Sequence, residues 1–496
     1  MTPANKPDSG FFITVTCPGC GAGLNLESDF YSLTCRYCGS ALRVIMPGKN
    51  PVYYIKSRKS KFDIRPAIDR YLKRNHLPLT RSDFVFRPIY YPYWKVNAIQ
   101  TRASCGATQA HHKSSNFAHS EVSVGWSGTL SVNNASDYSP ADYTCEDSLP
   151  KVKLMPFART LPAGPVLPGI PLSLGLRTQY IQMEPLTSEA SDGESEFITP
   201  QKDWSQVIAD IRKATVHRAG INAGLGEKRR SDIFNPRGAL IYFPYYIAFS
   251  DTASDTDVFI LDGISGRVVY AGEGETDFID NFRAEKNPKG GGALQVVLHR
   301  CRNCGLDLPA DGSFVQICSN CGVVTVLDPQ TRLEEGVNIA QASNRTGDPL
   351  FPFWKLKLPS EIIGQAVSPG LKESMPDYLI IPAFRGRNFE AIKRLAGRIT
   401  NMAASLPQEK PDEISKGLYP VTVSYPEAVA LAEILIFSNR IIRNRQMTAD
   451  RESLSPEKAG LLYVPFHLQN YFFVDSVTGD ITFEKSIVQE SIIAID

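Results

Sequence analysis

Cys17-Pro18-Gly19-Cys20-Gly21 is followed, with 14 residues between Cys20 and Cys35, by Cys35-Arg36-Tyr37-Cys38-Gly39. Far downstream the same pattern returns as Cys301-Arg302-Asn303-Cys304-Gly305 and, with 13 residues between Cys304 and Cys318, Cys318-Ser319-Asn320-Cys321-Gly322. Two residues between cysteines let a tight knuckle aim both sulfurs at one ion, and the glycine after the second cysteine relieves the turn. The gap allows a strand to run out and return, so that the second knuckle faces the first and completes a tetrahedral thiolate site. The spacing therefore predicts two structural zinc ions, with iron or uncoordinated thiols as the alternatives. Four protein ligands leave no position for substrate or water, which makes these expected sites structural rather than catalytic.

Each quartet with its flanks resembles a zinc ribbon of the kind found in transcription factor IIB and in many bacterial proteins. That resemblance implies a fold, and a partner that is DNA, RNA or protein, or simply a braced neighbour. The charges favour bracing. Between its outer cysteines the first ribbon sets Arg36 against Glu27 and Asp29, and the second sets Arg302 against Asp307 and Asp311. Neither composition makes a phosphate-binding face.

Outward from the ribbons, the chain reads as a repeat. LIYFPYYIAF leads to VFILDGISGRVVY over residues 240–270, and LLYVPFHLQN leads to YFFVDSVTGDITF over 461–483. Aromatic and β-branched alternation predicts a strand pair in each. Asp262 to Gly266 and Asp475 to Gly479 have the aspartate start and glycine finish of a type I turn with a bulge. Tyr91-Pro92-Tyr93-Trp94 is matched by Phe351-Pro352-Phe353-Trp354. A helix precedes each hairpin, marked by Trp204, Val207, Ile208 and Ile211 and by Ala428, Leu431, Ala432 and Leu435. Two further helices, at Ile64, Ala67, Ile68 and Tyr71 and at Phe389, Ile392, Ala396 and Ile399, have no counterpart in the other half. Trp94 and Trp354 read as core anchors, while proline inside a strand predicts that Pro92, Pro244, Pro352 and Pro465 lie on edge strands or at strand beginnings. Such an edge could accept a strand from a partner.

The expected fold is thus α+β with an internal duplication, two zinc ribbons each followed by a β-rich domain with packed helices. The expected boundaries are ribbon one at 1–48, a first α+β domain at 49–290 with an insertion at about 103–200, ribbon two at 291–332 and a shorter second α+β domain at 333–496. This order of parts resembles a group of bacterial zinc-ribbon proteins carrying a P-aromatic-W strand and a VDG-x-[ST]-G hairpin, some of them labelled primosome-like or helicase-like. The resemblance implies a bacterial origin and supplies no catalytic residue.

Composition narrows the function. The 496 residues carry 53 Lys plus Arg against 52 Asp plus Glu, so the net charge of +1 gives no global field for a polyanion. No stretch reaches the ~18 apolar residues of a membrane span, and the N-terminus lacks secretory features, so a cytoplasmic protein is expected. GxxxxGK[ST], HExxH and GxSxG are absent from the sequence, the nearest glycine run being Gly220 to Lys228. Cys105, His111, His112, His119 and Cys145 have ligand-type side chains at a spacing that matches no metal rule, and a zinc enzyme near His111–His119 is the least favoured reading. His467 reads as a ring on an aromatic strand. From Lys49 to Arg74 nine Lys or Arg face two Asp, with Lys56, Arg58, Lys59 and Lys61 beside Tyr53 and Tyr54. Such a strip suits single-stranded nucleic acid, or equally a solvated helix face. The leading expectation is a non-enzymatic zinc-dependent scaffold or adaptor for protein partners. The second is a nucleic-acid-binding accessory factor using residues 49–74.

Overall fold

The computed structural model describes residues 12–27, 31–45, 50–77, 84–105, 151–174, 182–187, 194–221, 228–250, 257–273, 283–286, 294–341, 347–367, 376–386, 388–402, 406–409, 417–444 and 453–488. They form a mixed α+β protein, mostly sheet, with five α-helices among the described residues.

The chain opens with two small hairpins. Strand β1 (Phe12–Thr16) pairs with β2 (Gly23–Glu27), and β3 (Ser32–Thr34) with β4 (Ala41–Ile45), both antiparallel. Next come β5 (Val52–Tyr54), α1 (Lys61–Arg74), β6 (Phe84–Cys105), β7 (Lys151–Pro162), β8 (Glu184–Pro185), β9 (Glu196–Ile198), α2 (Trp204–Ile221), β10 (Lys228–Ser250), β11 (Asp257–Asp262), β12 (Val268–Glu273) and β13 (Ala284–Glu285). Their nine strands make one sheet, in which β6 and β10 form the central antiparallel pair. Its two faces bury different sets. Tyr91, Tyr93, Ile241, Phe243 and Tyr245 lie in one core, and Trp94, Val96, Leu240 and Tyr242 in the other, where Val207, Ile208 and Ile211 of α2 pack on them.

Strands β14 (Gln295–Leu298), β15 (Val315–Ile317) and β16 (Val324–Val326) follow. A seven-stranded sheet closes the chain, built from β17 (Val337–Ala340), β18 (Leu350–Lys357), β19 (Tyr378–Pro382), β20 (Gln408–Glu409), β21 (Ala459–Gln469), β22 (Phe472–Asp475) and β23 (Thr482–Glu484). Helices α3 (Ser360–Ala366), α4 (Phe389–Met402) and α5 (Tyr425–Asn444) cover it. The two helices marked by Ile64 and by Phe389 are present as α1 and α4; Ile64, Ala67 and Ile68 of the first and Ile392, Ala396 and Ile399 of the second are buried, with Tyr71 and Phe389 partly so.

The pairings of the two sheets can be set side by side. In the first, Trp94 lies opposite Leu240 and Tyr90 opposite Pro244; in the second, Trp354 lies opposite Leu461 and Leu350 opposite Pro465. Strand β5 runs parallel to β10 with Val52 at Leu240, and β17 parallel to β21 with Val337 at Leu461. Asp262 pairs with Tyr245, and Asp475 with Phe466. At each hairpin turn the aspartate Oδ1 accepts two backbone N–H groups, and Gly266 and Gly479 have φ of 70° and 77°.

One expectation is corrected. Pro92, Pro244, Pro352 and Pro465 all lie within strands paired on both sides. Each sits one residue past the point where a neighbouring strand's pairing stops: β7 at Tyr93, β11 at Tyr245, β19 at Phe353 and β22 at Phe466. The four proline carbonyls accept from Ala163, Gly263, Ala383 and Ser476, the residues turning out of those neighbours. A strand residue points its N–H and C=O to the same side, so the missing donor falls where the ladder has already ended and costs no pairing.

Strands β6 and β10 run 22 and 23 residues and extend beyond the first core. A bulge between Phe234 and Arg237, with Asn235 at φ 47°, re-aims them. Beyond it Ala103, Val152 and Phe234 pack on Ala430, Ile434, Phe437 and Ile441 of α5, so this three-stranded arm grips the helix of the second sheet.

Candidate metal centres

All four knuckles are the same turn. The amide of each leading cysteine donates to the residue five further on, in Cys17 to Ala22, Cys35 to Ser40, Cys301 to Leu306 and Cys318 to Val323. The following glycines, Gly21, Gly39, Gly305 and Gly322, donate back to those cysteine carbonyls and have φ between 69° and 76°. A side chain there would be strained, because the turn imposes a left-handed backbone that only glycine adopts freely.

Two such turns face each other in each centre. The Sγ atoms of Cys17, Cys20, Cys35 and Cys38 lie within 4.8 Å of one another, as do those of Cys301, Cys304, Cys318 and Cys321. Cross-knuckle contacts are 3.8 and 3.9 Å in the first centre and 3.5 Å twice in the second. A tetrahedral ion with ligand bonds of about 2.3 Å spaces its sulfurs by about 3.8 Å, so both quartets fit. One cysteine of each pair is buried and its mate more open: Cys17 and Cys35 are at most 1% exposed, while Cys20 and Cys38 reach the surface. The Ser40 hydroxyl, 3.3 Å from Cys38 Sγ, holds that thiol down to about 6. Asn320 does the same for Cys304, also to about 6. These donors favour the thiolate form at Cys38 and Cys304, while in the same quartets Cys20 is pushed up to about 12 and burial pushes Cys318 up to about 11. Either centre can hold a metal ion.

The two centres share structure that the sequence did not signal. Strand β14, which leads into Cys301, pairs antiparallel with β4 of the first centre, Leu298 against Leu42 and Gln295 against Ile45. The first centre's sheet is therefore β14-β4-β3. Arg43 donates from Nη2 to the Val326 carbonyl at 3.1 Å, and Tyr31 meets Phe314 edge to face at 5.2 Å. Buried His299 lies in the same junction, its amide bonded to the Ala41 carbonyl and its Nε2 facing the Gln316 Oε1. Burial holds its imidazole below the usual histidine range. The apolar run before Cys301 marks β14 as a strand; nothing local names its partner, which is some 250 residues away.

The basic segment is divided by the fold. Lys56 and Arg58 are exposed, but Lys61 pairs with Glu194 at 2.7 Å, and the Lys59 side chain lies along the hairpin turn at Gly266. Ser57, Lys61, Tyr90, Pro244 and Tyr246 help line a cavity of about 270 Å³ beside it. Trp94 and Trp354 are core residues, donating from Nε1 to the carbonyls of Lys202 and Val423. His467 Nδ1 lies 3.2 Å from the Ser476 hydroxyl. Cys105 ends β6, and His111, His112, His119 and Cys145 lie outside the described residues. Among the described helices none is long and apolar enough to cross a membrane. No family model, no characterised protein and no solved structure matches the chain.

Proposed function

We propose that this protein is a non-enzymatic, zinc-dependent scaffold or adaptor of the bacterial cytoplasm, built from two tandem zinc ribbons and two copies of one sheet unit. The observation that carries the reading is the junction of the centres. All donors in each quartet are protein thiolates, which gives the metal an architectural role, and the strand entering the second quartet completes the sheet of the first. Zinc is the metal read here because an all-thiolate quartet with tetrahedral sulfur spacing is the ligand set of structural zinc sites. The duplication rests on the shared registers of the two central strand pairs, on the four prolines that repeat one position relative to a neighbour's end, and on the two tryptophans bonded to the carbonyl two residues before a helix. Because the Pro-aromatic strands are interior, the surface offered to a protein partner is that of the joined ribbons, where Tyr37 is 62% exposed beneath the Arg36 guanidinium.

The test is affinity capture from the native host with nuclease-treated extract, using wild type and a Cys20→Ser/Cys304→Ser variant. A defined protein partner held by wild type, kept after nuclease treatment and lost in the variant is the expected result. Capture that needs nucleic acid, or that survives loss of both metal centres, overturns the adaptor reading.

A further inference from the structure

The arm that grips α5 has a second face, and its register gathers cations that are far apart in sequence. On β6, Arg102 lies opposite Lys153 of β7 on one side and Ser231 of β10 on the other; Ser104 lies opposite Lys151 and Arg229 in the same way. Successive residues of a strand alternate faces and recur on one face about every 6.8 Å, with strands ~4.8 Å apart. Arg102, Lys151, Lys153 and Arg229 therefore crowd one small patch, and all four are exposed. The next row on this face is Met155, Gln100 and Ile233, so none of the nine positions is a carboxylate. Among the described residues no carboxylate pairs with Arg102, Lys151 or Lys153.

Two features separate this patch from an ordinary solvated surface. Lysines on β7 could serve only to blunt an edge strand, but Arg102 is on a strand paired on both sides. Arg102 and Lys153 are direct cross-strand neighbours, an arrangement in which like charges destabilise a sheet. The patch is also firmly mounted. The opposite face of the same strands, through Ala103, Val152 and Phe234, is buried on α5, and α2 packs beside the patch on Ile233 while leaving the cations uncovered.

We propose that Arg102, Lys151 and Lys153, flanked by Arg229, form a contact surface for the phosphate backbone of a nucleic acid. The charge is positive, and the polar partners Ser104 and Gln100 suit phosphate oxygens. The face is flat and carries no exposed aromatic for base stacking, so recognition is of the backbone and independent of sequence. It adds a nucleic-acid partner to the adaptor, through residues other than the ribbon cysteines and other than Lys56 to Lys61.

The experiment measures binding of a fluorescent, mixed-sequence DNA oligonucleotide, single-stranded and duplex, against salt. Wild type, Lys151→Gln/Lys153→Gln, the triple variant adding Arg102→Gln, and a control Lys56→Gln/Arg58→Gln are compared, each checked for unchanged metal content and melting temperature. Three phosphate contacts give log K against log salt a slope of about −2 for a single strand and about −2.7 for a duplex, so a fourfold rise in salt weakens wild type roughly twenty- to forty-fold. The double variant is expected to lose about two thirds of that slope, the triple variant nearly all of it, and the control none. No binding by wild type at low salt, an unchanged slope in the double variant, an equal loss in the control, or binding only to phosphatidylserine vesicles would each overturn the proposal.

Discussion

Trp354 donates its indole N–H to the carbonyl of Val423 at 2.8 Å, two residues before α5 begins at Tyr425. Trp94 does the same to Lys202, 2.9 Å away and two residues before α2. In both sheets a tryptophan on the central pair fixes where the covering helix starts. The ring is buried by apolar packing, and the bond satisfies a backbone carbonyl beside it that would otherwise lack a partner.

Trp94→Phe and Trp354→Phe should therefore each cost about 1–3 kcal/mol, the penalty of an unsatisfied buried acceptor together with the lost ring volume. Trp354, fully buried, should be at the upper end, since Trp94 is 7% exposed. Chemical denaturation of the three proteins checks this. A negligible cost for Trp354→Phe would contradict the anchoring role.

Two metal equivalents per chain are expected in protein purified without chelators, falling to one in Cys20→Ser or in Cys304→Ser. Structural zinc in small finger peptides binds with roughly 10–16 kcal/mol at neutral pH, so each loss is locally severe. The β4–β14 ladder adds a consequence: Cys304→Ser should also raise hydrogen exchange at Arg43 and Ile45, in the other centre, whose amides lie on the side of β4 that faces β14. Elemental analysis and exchange mass spectrometry report the two effects separately.

Acid should release the metal. Cys38 and Cys304 are held near 6, below the ordinary thiol value of 9. A depressed group contributes stability that is fully present above its unfolded value and is lost as pH falls through its folded value, so stability declines from about pH 9 toward pH 6. Metal coordination extends the thiolate form further, so release follows on acidification. Following a chromogenic chelator from pH 8 to 4 checks the direction. In Ser40→Ala the first centre should release at higher pH, because the hydroxyl facing Cys38 is gone.

Phe234 of the arm meets Phe437 of α5 with ring centroids 5.7 Å apart, and Arg237 reaches Glu427 at 3.3 Å. Phe437→Ala should cost about 3–5 kcal/mol by opening a cavity between the halves, whereas Arg237→Gln should cost about 1 kcal/mol or less, since that arginine is 37% exposed. Limited proteolysis would show the arm loosened only in the first variant.

Much of this was legible in the chain because it is local. A knuckle needs only Cys-x-x-Cys-Gly, so four turns and two quartets could be read from spacing. The hairpin turns announced themselves through Asp262, Gly266, Asp475 and Gly479, and helical spacing located the four longer helices. Pairings between distant segments left no such mark. Strand β14 joins β4 because their apolar faces and unpaired edges meet in space, and no residue in Gln295–Leu298 encodes that choice. The prolines were assigned to edges because a missing donor is a local fact, while the point where a neighbour's ladder ends is not. Likewise Arg102, Lys151, Lys153 and Arg229 lie in three separate segments of a nearly neutral chain. A strand alternates its faces every residue, so only the register of β6 with β7 and β10 could turn them into one patch.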